Sequence, residues 1–202
     1  MGNLRSVQKA LARVGGEADI SDKPEDVSRA ERLVIPGVGA FGDAMRALAA
    51  RDLVEPIRAF ARRGRPVLGI CLGLQVFFDE SEESDAAPER SEGERGLGLV
   101  AGRVVRFDET MGLKVPHMGW NTVRVVRPSP LFEGMPAEGT YFYFAHSYYA
   151  APRQEDVVIG RTEYGVSFAS AVGAGNVVAT QFHPEKSQAA GLAVLENFVK
   201  RF

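Results

Sequence analysis

Two hydrophobic periods divide the chain. Up to about residue 78, apolar positions three and four apart alternate with short unbroken apolar runs; beyond residue 96, apolar stretches are short and strand-like. Leu4, Val7, Ala10, Leu11 and Val14 form one stripe over residues 3–14, an amphipathic helix ended by Gly15-Gly16. Ala18-Asp19-Ile20 suits a short strand. Ser21-Asp22-Lys23-Pro24 is a turn that can open another short helix. Arg32 to Ile35 is a buried-type strand running into Pro36-Gly37-Val38-Gly39. Residues 41–50 and 52–63 read as helices with a junction near Arg51, and 67–70 as another buried strand. Leu74 to Phe78 can continue as a helix.

This alternation with short connections is the signature of a parallel α/β sheet. Ligands in such sheets sit beyond the carboxyl ends of the strands. The Pro36–Gly39 turn and residue 71 both lie at such ends, so both belong to one candidate site. Glu80 to Arg95 is acidic and reads as an exposed connection without chemistry. Residues 97–100, 103–107, 121–126, 140–148, 157–163, 166–171 and 177–180 then read as strands. A turn falls at Gly173-Ala174-Gly175-Asn176, and residues 192–202 close the chain as an amphipathic helix.

Composition narrows the class. Apolar residues make up 45% of 202, enough for a full core and for one large domain spanning 1–202. With 24 Lys+Arg against 26 Asp+Glu, net charge supports neither nucleic-acid nor membrane-surface binding. No apolar run approaches transmembrane length and no signal-peptide pattern opens the chain, so the simplest expectation is a cytoplasmic protein. One cysteine excludes an internal disulfide or a cysteine-based zinc cluster. No cofactor or metal is expected.

That cysteine carries the sharpest signal. Gly69-Ile70-Cys71-Leu72-Gly73 is the thiol counterpart of a nucleophile elbow, with Cys71 on a tight strand-to-helix turn and glycines where side chains would clash. The N–H groups of the following helix would lower the thiol pKa and stabilise an oxyanion. The alternative is a buried cysteine acting as a small hydrophobe. A thiol nucleophile needs a base, and His117, His146 and His183 are available. In Gln181-Phe182-His183-Pro184-Glu185, residues i and i+2 of an extended segment share a face, so Glu185 can hold the His183 ring. A surface His-Pro turn beside an unrelated glutamate is the competing reading.

Together these residues resemble the class I (triad) glutamine amidotransferases, with Gly69–Gln75 as nucleophile motif and Gln181–Glu185 as His-Pro-Glu motif. Gly2–Ser6, Gly96–Leu99, Val115–Asn121 and Tyr143–Tyr148 are similar to the branch that serves as glutaminase subunit of imidazole glycerol phosphate synthase, in histidine biosynthesis. The resemblance implies a three-layer α/β fold with a mostly parallel central sheet and a β-rich second half. It implies glutamine hydrolysis to glutamate and ammonia by Cys71, His183 and Glu185 through a glutamyl thioester. The oxyanion would be held by Leu72 and by an N–H of Gly37, Val38 or Gly39. Gln75, Ser147 and Tyr148 would bind glutamine, with His146 as a neighbour of the site. Ammonia would pass to a (β/α)8-barrel cyclase subunit, in a heterodimer that makes imidazole glycerol phosphate and an aminoimidazole carboxamide ribotide. Pro116, His117, Met118, Gly119, Trp120, Asn121, Tyr143 and Lys186 would lie at that interface. Without the family, the Trp–Met cluster fits core packing equally well. The rivals are the glutaminase of another synthase, an inactive scaffold subunit and a free cysteine hydrolase. The family's usual beginning, a buried strand ending in Asp-Tyr-Gly-x-Gly-Asn-Leu-Arg-Ser, matches here only from x, at Met1. The resemblance therefore implies a natural product longer by about one strand of ~5–10 residues.

Overall fold

The structure, a computed structural model, describes residues 4–83 and 94–202. In chain order, α1 (Leu4–Arg13) and α2 (Pro24–Arg29) precede β1 (Leu33–Gly37). Helices α3 (Phe41–Ala49) and α4 (Val54–Arg62) lead to β2 (Val67–Cys71) and the single turn of α5 (Leu72–Gln75). Then come β3 (Glu80–Ser81), β4 (Glu94–Arg95), β5 (Gly102–Arg106), β6 (His117–Val125) and β7 (Thr140–His146). The last strands are β8 (Tyr148–Pro152), β9 (Val158–Tyr164), β10 (Val166–Ala174) and β11 (Val177–Thr180), and α6 (Gln188–Arg201) follows.

Strand β2 is buried along its whole length because apolar layers cover both faces. Val67 packs into a core with Val27 of α2 and Ile57 and Phe60 of α4. Leu68 and Ile70, on the opposite face, pack with Val7 and Leu11 of α1 and Val194, Leu195 and Phe198 of α6. The period-2 alternation of one strand thus divides the molecule into helix, sheet and helix layers. Phe60 and Phe198, each 1% exposed, contribute about 1.5–3 kcal/mol apiece by leaving water.

The sheet is mixed, which corrects the mostly parallel sheet expected. β1, β2 and β11 run parallel, as do β3 and β5. The pairings of β10 with β11, β8 and β9, of β5 with β8, of β3 with β4, and of β6 with β7 and β9 are antiparallel. Parallel pairing needs a crossover of a dozen or more residues, and only the first part of the chain supplies crossover helices. Strands joined by turns such as Gly165 or Gly175-Asn176 can pair only antiparallel.

Local differences have similar causes. Ala18–Ile20 forms no strand; the Gln8 side-chain amide, not a neighbouring strand, donates to the Ala18 carbonyl at 2.7 Å, and Ile20 is exposed. Leu97–Val100 is a loop, although Leu97 and Val100 are buried. Its N–H groups bond the carbonyls of Val76, Phe77 and Phe78 instead of a strand. The helix after Cys71 stops at Gln75. The stretch from Thr140 to Tyr148 breaks at Ser147, and β6 begins at His117 rather than Asn121. The acidic connection is partly paired, as β3 with β4; residues 84–93 of that expected loop lie outside the described residues, as do Gly2-Asn3 of the first motif.

Candidate active site

Three parallel strands deliver their carboxyl ends to one cleft: β1 brings Gly37-Val38-Gly39, β2 brings Cys71, and β11 leads through Gln181-Phe182 to His183. Cys71 sits at φ 56°, ψ −107°, a backbone conformation unusual for a residue with a side chain. Two glycines make the turn possible. A Cβ on Gly73 would lie 1.7 Å from the Ile35 carbonyl oxygen. One on Gly69 would lie 2.7 Å from the Gly73 carbonyl and 2.8 Å from the Phe77 ring. The elbow therefore packs backbone against backbone and against β1. Because α5 is one turn long, it brings no long-helix dipole to the sulfur.

His183 is 2% exposed, and its Nδ1 lies 2.9 Å from Glu185 Oε1. The contact arises differently from the expected extended segment. His183 itself is extended, while Pro184–Lys186 makes one 3-10 turn that swings the carboxylate back. The turn is fixed at both ends. The His183 N–H donates to the Tyr143 carbonyl, and the Ser187 hydroxyl, 2.6 Å away, donates to the His183 carbonyl. Burial opposes charge on His183, but hydrogen bonds to Cys71 and Glu185, and their negative charge, outweigh it. The pKa rises from 6.5 to about 9, so the ring holds its proton at neutral pH. Glu185 Oε2 is buried with no hydrogen-bond partner among the described residues, which leaves that oxygen's charge to the imidazolium.

The cleft, about 290 Å³, is lined by Val38, Gly39, Cys71, Leu72, Gln75, Ser147, Tyr148 and His183 among the expected residues. Gly37 stands behind them, where a Cβ would strike Leu72 at 2.9 Å. Gln75 is buried; its amide donates to the Tyr148 carbonyl at 2.9 Å and to Gln181 Oε1 at 3.3 Å. Gln181 in turn points its amide at Cys71 Sγ, 3.8 Å away. Three groups at the site, Ala145 and Glu83 in the cleft wall and Gln181 behind it, escaped sequence reasoning. Gln181 and Ala145 lay inside recognised motifs without a role. Glu83 lay in the acidic connection set aside as free of chemistry. Its carboxylate accepts the Phe41 N–H at 2.8 Å and lines the cleft; one glutamate in an acidic run gives no local signal of this.

Beside the cleft, Met118 (65% exposed), Trp120 (48%) and Tyr141 (65%) form an apolar surface continuous with Pro116, Met118 and Lys186 of the cleft wall. Lys186 Nζ lies 5.7 Å from the Tyr143 ring centre, and Trp120 meets Tyr143 edge-on. His117 does not belong to that surface. Strand alternation turns it inward, 3% exposed, so its expected place at an interface is corrected.

A nucleophile elbow and a histidine–glutamate pair thus meet in one cleft at the carboxyl ends of parallel strands. The glutamine amidotransferase class-I family profile matches residues 3–202, and the chain belongs to the class I glutamine amidotransferases. Two relatives narrow the branch. The imidazole glycerol phosphate synthase subunit HisH of Moorella thermoacetica is 52% identical over 198 residues, 98% of this chain and 90% of that protein. The HisH subunit of Syntrophotalea carbinolica is 51% identical over 203 residues, 98% and 95% of the two chains. Within the class, the chain belongs to the HisH family. Among solved structures, a glutamine amidotransferase superposes with TM-score 0.73 at 23% identity, covering 98% of this chain and 94% of that one. PurLQS from Thermotoga maritima gives 0.70 at 22%, covering 96% and 90%. Both share the fold. No helix among the described residues is long and apolar enough to cross a membrane.

Proposed function

We propose that this chain is the glutaminase subunit of imidazole glycerol phosphate synthase, serving histidine biosynthesis. Cys71 Sγ attacks the side-chain amide carbon of glutamine. His183, poised with its proton by Glu185, protonates the departing nitrogen as ammonia leaves. A glutamyl thioester remains on Cys71. His183 then draws a proton from water, which attacks the thioester and releases glutamate and the thiol. The negative oxygen of each tetrahedral stage accepts N–H bonds from Leu72 and from the Gly37–Gly39 loop. Gln75 and the Ser147-Tyr148 backbone hold the glutamine. Glu83, the acidic side chain lining the cleft, suits its ammonium group.

The ammonia passes to a synthase partner, a (β/α)8-barrel cyclase, docked on the surface of Met118 and Trp120. Exposed Met and Trp beside a cleft suit an interface anchor, since such residues carry much of the energy of protein interfaces. The observation that carries the reading is that Cys71 and His183 meet in one cleft, with Glu185 against the His183 ring. Glutamate release is to be measured with and without the cyclase subunit and its nucleotide substrate. Glutamine-dependent product formation on mixing supports the reading; its absence, with ammonia-dependent synthesis intact, refutes it.

A further inference from the structure

Two buried histidines have no part in this chemistry, yet they touch the site. His117 on β6 and His146 at the end of β7 are register partners across the antiparallel pair. His117 Nδ1 lies 3.0 Å from His146 Nε2. His146 Nδ1 lies 2.8 Å from the Tyr148 carbonyl oxygen. At the other end, Asn121 Nδ2 lies 3.2 Å from His117 Nε2.

Every proton in this row is fixed by its neighbours. A carbonyl oxygen only accepts, so His146 carries its hydrogen on Nδ1. Its Nε2 is then the acceptor for His117 Nδ1–H, and His117 Nε2 accepts from Asn121. The Asn121 amide cannot flip, because its oxygen accepts the Thr122 N–H at 2.7 Å and its nitrogen also donates to the Glu163 carbonyl at 3.0 Å. A proton added to either ring would set two donors face to face.

The row ends on the glutamine site. The Tyr148 carbonyl accepts from His146 Nδ1 on one lone pair and from Gln75 on the other. With both lone pairs occupied, that oxygen does not compete for substrate. The Ser147 carbonyl is likewise taken, by the Phe107 N–H at 3.1 Å, so both carbonyls of the Ser147-Tyr148 segment are engaged and its donors are what it has to offer a carboxylate. We propose that His146 and His117 are positioning residues of the glutamine site, a directed hydrogen-bond row that runs from Asn121 on β6 and fixes the Tyr148 carbonyl. Asn121 follows the exposed Trp120, so the row joins the apolar surface to the substrate pocket.

The inference rests on Cys71 acting on glutamine, and its test separates the two. In the subunit assembled with its synthase partner, His146→Asn keeps an N–H at the Nδ1 place, whereas His146→Gln keeps one only at the Nε2 place. The expected result is a glutamine KM within about twofold of the unaltered protein for His146→Asn and roughly tenfold higher for His146→Gln. Reaction of Cys71 with iodoacetamide should be unchanged in both. His117→Phe should raise KM roughly threefold alone and add nothing to His146→Gln, because it acts only through His146. Equal KM values for the two His146 variants, or effects of His117 and His146 that multiply, would overturn the proposal. Failure of the unaltered protein to hydrolyse glutamine would instead refute the proposed function.

Discussion

Lowering the pH from 7 to 5 should cost the folded subunit about 4 kcal/mol through His117 and His146 alone. His117 stacks between Phe144 and Tyr164, with ring centres 4.8 and 4.0 Å away, and both histidines are at most 5% exposed. Burial pushes the pKa of His117 from 6.5 down to about 4 and that of His146 down to about 3. Below pH 6.5 the unfolded chain takes up both protons while the folded chain refuses them. Stability therefore falls with pH from 6.5 towards the folded values. At pH 5 each ring contributes a loss of about 2 kcal/mol, against a total stability of roughly 5–15 kcal/mol. His183 has the opposite sign on the other side of neutrality. Its raised pKa gives a stabilisation complete below 6.5 and lost as pH rises through about 9, so it changes little between 5 and 6.5. Asp108 and Glu55, whose carboxyls are lowered by hydrogen bonds, lose their contribution only below their ordinary values of 3.8 and 4.5. Urea unfolding at pH 7 and 5, for the unaltered chain and for His117→Gln/His146→Asn, isolates the two rings. The double variant should lose about 4 kcal/mol less on acidification. A difference below about 1 kcal/mol would show that the rings are not held neutral.

Cys71→Ala should abolish glutamine hydrolysis while ammonia-dependent synthesis by the partner survives, as an assay with each nitrogen source would show. Glu185→Gln should slow hydrolysis by ~10²-fold or more and move the His183 titration from about 9 back towards 6.5, read from the alkaline limb of the rate–pH profile. Gly73→Ala places a methyl against the Ile35 carbonyl. The elbow must open, with a loss of stability of ~1–3 kcal/mol by denaturant titration and loss of labelling by glutamine-like electrophiles.

The cysteine, its histidine and the glutamate were legible because each is announced by chemistry within a few residues. Glycines flank a thiol at a strand end, and a proline separates a histidine from a glutamate. What a residue meets across the sheet is not announced in this way. Periodicity tells that a position faces a core, whereas the partner found there depends on register. His117 and His146 are 29 positions apart and meet only because β6 and β7 pair as they do. Glu83 reaches the cleft through the Phe41 N–H, a contact 42 positions away. Ala18-Asp19-Ile20 has the composition of a strand, yet its Ala18 carbonyl is taken by the Gln8 side chain and the segment stays irregular. The stretch from Pro116 to Asn121 makes the same point within one element. In sequence it reads as a single interface motif, but an extended strand has two sides. Met118 and Trp120 face outward, where they can anchor a partner. His117 and Asn121 face the row that ends at the Tyr148 carbonyl. One strand thus divides a single sequence motif between an outer surface and an inner support for the substrate site.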